Sequence, residues 1–401
     1  MDSFKTLDDI IFSGKKVLVR VDTNVPMNNG IVSDDTRLRH IVPTIEDLTK
    51  KGAAVILVAH FGRPGGKVNP DLTLRPVAKH LAHILGRDVN FVDDVIGEKA
   101  RKAVSALEAG QILMLENIRF EAGEEKNDRM TAQALADLAD IYVNDAFSAA
   151  HRAHASTEGI THFLPSAVGR GMQAEIEALN NALSTPKRAV AAVVGGAKVS
   201  TKIDLLENLI EKVDVLVIGG GMANTFLMAR GFDVGKSLCE KDLLTTAKRI
   251  EERALHLGKQ IILPVDVVVA SEFKQGADHR SCRPEDVQPD EMIVDAGPET
   301  TQLLQQLFAS MKTILWNGPF GAFELPPFDT ATVKAAQIVA DLTQKKIVTS
   351  IAGGGDTVSA LNHAGVSEKF TYVSTAGGAF LEWIEGKSLP GVEALKQLET
   401  L

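Results

Sequence analysis

The chain is predicted to be α/β, with two domains that are each a parallel sheet with helices on both faces, joined by a hinge helix. Three observations carry this. Short apolar runs alternate with longer amphipathic stretches from end to end. The alternation yields about twelve strands, too many for one comfortable sheet. Between Gly169 and Pro186 the pattern breaks, resumes as one helical stripe (Ile176, Leu179, Leu183) and breaks again. A length of 401 residues suits two or three domains of about 150 residues.

Lys16 to Val21 (KVLVRV) reads as the first strand. Ile41, Ile45 and Leu48 then repeat at helical spacing, and Ala53 to Ala59 (AAVILVA) is an apolar run suited to a strand buried on both faces. Arg75 to Leu85 reads as a helix, with Pro76 in its first turn and Val77, Leu81 and Ile84 on one face. Ile112 to Leu115 and Ile141 to Val143 are further strands. The second half repeats the grammar at Val190 to Val194, Val213 to Ile218, Gln260 to Leu263, Lys312 to Trp316, Lys346 to Ile351 and Phe370 to Val373. The resulting division is a first domain of residues 1–172, a connecting helix or hinge of 173–185, and a second domain of 186–388.

Composition removes several classes. With 45 % apolar and 24 % charged residues, the chain is neither disordered nor collagen-like nor a coiled coil. A formal charge of −9 and 5 % aromatics disfavour broad binding to nucleic acid, but leave room for a basic cleft that takes a small anion. Cys239 and Cys282 read as unpaired thiols, too few for a disulfide framework or a zinc site. MDSFKTLDDI lacks the basic start and apolar core of a signal peptide, and no apolar run reaches the roughly 18 residues that span a bilayer. The expectation is a soluble cytoplasmic protein with no membrane or nucleic-acid partner.

Familiar phosphate motifs fail. Gly235-Lys236-Ser237 and Gly386-Lys387-Ser388 have Arg230 and Leu381 where a P-loop needs a glycine. Gly169-Arg170-Gly171 with Ala174 fits a loose dinucleotide pattern, but no clear strand is read before it.

The strand ends are more informative, because ligands of α/β sheets bind at the carboxyl ends of strands. In the first half these ends carry Asp22, Thr23 and Asn24, then His60, Phe61, Gly62 and Arg63. Glu116, Asn117 and Arg119 follow another, and Asn144 and Asp145, with His151, Arg152 and His154, a fourth. Arg37 and Arg39 follow the first strand. Guanidinium forks match carboxylate and phosphate oxygens. The second half has glycine-rich strand ends: Gly195-Gly196-Ala197-Lys198, Gly219-Gly220-Gly221, Gly353-Gly354-Gly355-Asp356-Thr357 and Gly377-Gly378. Glycines let backbone N–H groups approach an anion, and a helix start adds a favourable field. Lys198 and Lys202 are spaced to share one helix face. Asp356 and Thr357 suit Mg²⁺ and a phosphate oxygen. The residues alone thus give a small anionic substrate in one half and a nucleotide in the other, with the acceptor unidentified.

The motifs themselves resemble the phosphoglycerate kinase family over nearly the whole chain. VRVDTNVP, AHFGRP, ENIRF and NDAFSAAHRAHAS stand in the first half, and GGAKVSTK, GGGMANTF, WNGPFGAFE, GGGDT and STAGGAFLE in the second. The resemblance implies two Rossmann-like domains and phosphoryl transfer between ATP and the carboxylate of 3-phosphoglycerate, giving ADP and 1,3-bisphosphoglycerate. It implies that Asp22, Thr23, Asn24, Arg37, His60, Phe61, Gly62, Arg63, Arg119 and Arg152 bind phosphoglycerate. Nucleotide binding falls to Gly196, Ala197, Lys198, Lys202, Gly220, Asn317, Pro319, Glu324, Gly353, Gly354, Gly355, Asp356 and Thr357, with Glu324 on the ribose. Asp356 would hold the Mg²⁺ of the nucleotide. Arg37, Lys198, Lys202, and backbone amides at Gly354 and Gly377, would face the transferring group. The family further implies a hinge-bending monomer whose tail, 389–401, packs back on the first domain, and whose closure excludes water.

Two positions depart from the family pattern. Ala376 stands where a third glycine is usual, so either the loop is stiffer or that residue already has negative φ. Phe320 stands where smaller aliphatic side chains are common, which bears on the shape of the nucleotide pocket. Two rival classes are weaker. A nicotinamide dehydrogenase lacks its dinucleotide loop, and a non-catalytic sugar-phosphate binder has no use for Lys202, Asp356 or Glu324.

Overall fold

The computed structural model describes residues 4–396. They form two compact units: residues 4–176 with 388–396, and residues 177–387. The division falls inside one helix, α5 below. Residues 397–401, the end of the expected tail, lie outside the described residues.

In the first unit the strands are β1 (Lys16–Val21), β2 (Met27–Asn28), β3 (Ile31–Val32), β4 (Ala54–Val58), β5 (Asn90–Phe91), β6 (Ile112–Met114), β7 (Ile141–Asp145) and β8 (Ser166–Val168). A parallel six-stranded sheet runs β5-β6-β4-β1-β7-β8. Its helices are α1 (Thr36–Lys50), α2 (Arg75–Leu85), α3 (Glu98–Ser105) and α4 (Arg129–Ala136), with α5 (Arg170–Leu183) leading into the second unit. The central strands form as read because β4 (AVILV) is buried at every position. α1 turns Leu38, Ile41, Ile45 and Leu48 into the core. The short Pro390–Glu393 helix belongs to this unit: Gly391 N donates to Ala150 O at 2.9 Å.

The second unit holds β9 (Val190–Val194), β10 (Val215–Ile218), β11 (Gln260–Ile262), β12 (Val267–Ala270), β13 (His279–Cys282), β14 (Met292–Ala296), β15 (Thr313–Asn317), β16 (Thr349–Gly353) and β17 (Tyr372–Ser374). Its helices are α6 (Ile203–Lys212), α7 (Gly221–Ala229), α8 (Leu244–His256), α9 (Pro298–Ser310), α10 (Thr330–Gln344), α11 (Gly355–His363) and α12 (Gly378–Ile384). A second parallel sheet runs β11-β10-β9-β15-β16-β17. Trp316, Phe308, Leu304 and Val339 centre its core.

Several elements went unread. β12, β13 and β14 form a separate antiparallel sheet; β13 is HRSC, mostly exposed and without an apolar signal. The β2–β3 hairpin turns on Asn29 (φ 49°) and Gly30 (φ 76°), the left-handed pair that an Asn-Gly turn supplies.

The loose Gly169 motif needs correcting, because β8 does precede it and α5 follows directly. What excludes a cofactor there is Asp145. A Cβ at Gly169 would lie 2.4 Å from the Asp145 carboxyl carbon, and Asp145 accepts from Met172 N at 2.9 Å. Burial raises the Asp145 pKa to about 7, against hydrogen bonds from Thr44, Met172 and Gly171 that lower it. An unfolded aspartate ionises lower, so between those two values the unfolded state binds fewer protons, and this group makes stability fall as pH rises. Asp145→Asn, with no charge to bury, is expected to melt above the parent near pH 8, and the gap should close toward about pH 5. Thermal melts across that range check it; parallel curves would contradict it.

Candidate active site

In the first unit, β1, β4, β6 and β7 all deliver their following loops to the same, carboxyl edge of one sheet. Asp22, directly after β1, organises the rim. It accepts from Asn24 N at 3.0 Å and Ser148 Oγ at 2.5 Å, and pairs with Arg37 Nη1 at 3.0 Å. Arg37 also donates to Asn24 O at 3.1 Å, so its guanidinium is aimed by two fixed acceptors. Asn24 Oδ1 accepts from Gly62 N at 3.0 Å, and Arg119 Nη1 donates to Gly62 O at 2.8 Å. Gly62 has φ 60°, and a Cβ there would strike Leu72. Phe61 is fixed by both amide atoms of Asn117, through its N–H at 3.1 Å and its carbonyl at 2.7 Å. Asp22, Asn24, Arg37, Phe61, Gly62 and Arg119 are therefore tied together.

The remaining members divide. Thr23 is fully buried and presents no side chain at the rim. His60 is nearly buried, and burial together with Arg20, Arg119, Arg37 and His154 holds its pKa well below the usual imidazole value. His154, read in the sequence as following a strand end, lies buried with Nδ1 3.8 Å from Glu124 and a pKa lowered to about 4, chiefly by burial. Arg63 and Arg152 are exposed, and among the described residues neither guanidinium has a hydrogen bond or ion pair. Elsewhere guanidiniums such as Arg170, Arg188, Arg230 and Arg280 are matched with carboxylates.

In the second unit the glycine loops sort by what a Cβ would meet. Gly195 would strike Pro319 O, Gly219 would strike Phe320, and Gly220 would strike the backbone of Gly196. Gly220 N also donates to Phe320 O at 2.8 Å, and Met222 N to Gly196 O at 3.0 Å. These glycines let the loops after β9, β10 and β15 pack backbone against backbone, so Gly220 has no N–H left for an anion. Pro319 is buried in the same packing. By contrast, nothing lies within 4 Å of a Cβ at Gly355 or Gly377. Gly354 (φ 97°) caps α11, whose first-turn amides at Gly355, Asp356 and Thr357 have no intrahelical acceptor. Asp356 is exposed. Thr357 is buried and its hydroxyl accepts from Gly318 N at 2.8 Å, a bond that fixes the side chain and leaves its O–H proton unused.

The two lysines do not share a helix face. Lys198 is extended (φ −134°), Val199–Thr201 is a single 3₁₀ turn, and α6 opens only after Lys202. Lys198 and Ala197 are exposed, with Gly196 half-buried before them. Lys202 is half-buried and donates from Nζ to Asn317 Oδ1, while Asn317 Nδ2 donates to Gly353 O at 2.7 Å. Burial lowers the Lys202 pKa, opposed by Asp356 and Glu385. Glu324 stands exposed in the loop after β15.

Both departures resolve. Ala376 has ordinary φ, and the left-handed residue is Gly377 (φ 59°). Phe320 turns into the core, its ring 5.6 Å from that of Trp316, and packs against Gly219. Sequence reading missed the layer behind the first rim: Arg20, Tyr142, Ser156 and Glu124, all buried. A charge inside the apolar run VLVRV was the available signal.

One unit thus presents unpaired guanidiniums, and the other free helix-start amides beside lysines. That is the equipment of an enzyme handling two anionic substrates, one carrying a polyphosphate. The family model for phosphoglycerate kinase matches residues 7–387. Phosphoglycerate kinases of Xanthobacter flavus (60 % identical over 398 residues, 99 % of this chain and all of that one) and Brucella abortus (59 % over 394 residues, 98 % and all) are similar. The solved phosphoglycerate kinase of Coxiella burnetii superposes with a TM-score of 0.92 at 42 % identity, covering 98 % of this chain and 99 % of that one. That of Pyrococcus horikoshii gives 0.80 at 32 %, covering 98 % of each. The chain belongs to the phosphoglycerate kinase family. It is a phosphotransferase of glycolysis that moves a phosphoryl group reversibly between ATP and the carboxylate of 3-phosphoglycerate.

Proposed function

We propose that the first unit's rim holds the phosphoglycerate, through Asp22, Asn24, Arg37, His60, Arg63, Arg119 and Arg152, and that the second unit holds the nucleotide. The observation that carries this is the division of unspent anion-binding capacity. Arg63 and Arg152 lack partners in one unit, and the first-turn amides of α11 are open beside Lys202 in the other. Lys198, Lys202, Asn317 and the amides from Gly354 to Thr357 take the phosphates, Glu324 the ribose, and the Gly377 region the transferring group.

The attacking carboxylate is already ionised, so no general base is required. The difficulty is charge: two unit anions about 4 Å apart repel by roughly 4 kcal/mol at an effective dielectric of 20. Fixed cations and amides offset this and stabilise the charge spread over the equatorial oxygens. His60, held neutral, contributes a hydrogen bond without titrating near neutrality. Mg²⁺ fits the donor set. Asp356 is a single exposed carboxylate in the first turn of α11, and no cluster of three His, Cys, Asp or Glu among the described residues forms an independent cage. That suits a metal bound by one carboxylate and substrate phosphates, where it would neutralise phosphate charge. Hinge bending in 173–185, a cytoplasmic monomer and the absence of a nucleic-acid partner complete the reading. Among the described residues no helix is long and apolar enough to cross a membrane.

Asp356→Asn tests the nucleotide half. Affinity for MgADP is expected to fall at least about tenfold while affinity for metal-free ADP changes little, because the amide keeps the shape without the charge. Equal losses in calorimetric titration would remove Asp356 from the metal.

A further inference from the structure

We infer that Arg20 is a positioning residue for the phosphoglycerate rim, holding His60 as the neutral tautomer protonated on Nε2. The inference rests on the reading that His60 contacts phosphoglycerate.

Arg20 lies on β1 and is almost wholly buried. Its Nε donates to Ser156 Oγ at 2.9 Å, its Nη1 to Val21 O at 2.5 Å, and its Nη2 stands 3.0 Å from His60 Nδ1. A guanidinium donates and cannot accept. Nδ1 must therefore offer its lone pair, and the ring proton sits on Nε2. An imidazolium has no lone pair to give, so this contact also excludes the charged ring. The charged and titratable groups facing His60 agree from every side: Arg20 from β1, Arg37 from α1, Arg119 from the turn after β6, and His154 from the loop after β7.

Arg20 has a counter-charge one hydroxyl away. Ser156 Oγ accepts from Arg20 and donates to Glu124 Oε1 at 2.6 Å, and Ser156 N donates to Glu124 Oε2 at 2.9 Å. Glu124 is fully buried. The chain Glu124–Ser156–Arg20–His60 runs from the interior to the rim and fixes the donor atom there. Among guanidiniums that hold anions by charge, His60 adds one oriented, uncharged N–H whose state is constant through neutral pH.

The first test needs no variant. Nitrogen NMR of the intact protein labelled in histidine, with the His60 signal assigned by its loss in His60→Gln, should show Nδ1 unprotonated and Nε2 protonated. The signal should be unchanged from about pH 5.5 to 8. A proton on Nδ1, or titration near the ordinary value of about 6.5, overturns the inference. Steady-state kinetics supplies the second. Arg20→Met should raise KM for phosphoglycerate about tenfold, make it pH-dependent near 6.5, and leave kcat within about threefold; Arg20→Lys should recover part of the loss. His60→Gln separates the two claims. If it leaves that KM unchanged, the site reading fails whatever the tautomer. If it raises KM while Arg20→Met changes neither KM nor its pH profile, the Arg20 inference fails alone.

Discussion

Replacing Lys202 by alanine is expected to lower kcat by about 10²–10³, the usual cost of one well-placed donor to a developing anion, with little change in either KM. The ammonium is half-buried and seated on Asn317 Oδ1, and Asn317 is itself anchored to Gly353 O. It is thus positioned before any ligand arrives and needs no reorganisation when charge develops. A group that acts mainly on the transition state shows in kcat rather than KM. Steady-state kinetics checks this. Unchanged kcat with a raised KM for ATP alone would make Lys202 a ground-state binder.

Arg37→Ala is expected to cost a similar factor of about 10²–10³ in kcat. Arg37 is aimed by Asp22 Oδ2 at 3.0 Å and Asn24 O at 3.1 Å. Its loss also leaves Asp22 as an uncompensated anion at a rim meant for anions, so some rise in KM for phosphoglycerate should accompany the fall in kcat. The double variant should lose less than the product of the single losses, the signature of two residues serving one step. Full multiplicativity in the same assay would contradict that.

What was legible in the sequence follows the strength of each physical signal. Runs such as AVILV are buried on both faces and announce themselves, so the central strands of both parallel sheets could be read. β13 is short and mostly exposed, and β5 has only two residues, so neither carries a hydrophobic period. Strand ends could be read because β7 continues through two polar residues, Asn144 and Asp145, into the rim. Residues of the site were legible by type, but their use was not. Gly220 looks like a phosphate cradle and serves loop packing, because its neighbour is the backbone of Gly196. Lys198 and Lys202 have helical spacing, yet a 3₁₀ turn separates their directions. Arg20 was hidden because a buried charge behind a site is recognised only through its partners, and Ser156 is 136 residues away along the chain.

The central claim is that the acidic substrate and the nucleotide are held by different units. Calorimetric titration of Arg63→Ala with each ligand tests it most directly. Arg63 is exposed and unpaired among the described residues, so its removal breaks no hydrogen bond or ion pair there. A charge-assisted hydrogen bond of about 1.5–3 kcal/mol corresponds to roughly 10- to 150-fold in affinity. Phosphoglycerate binding should weaken by that amount, while MgADP binding stays within about twofold. A comparable loss for MgADP, or an unaltered affinity for phosphoglycerate, would contradict the assignment.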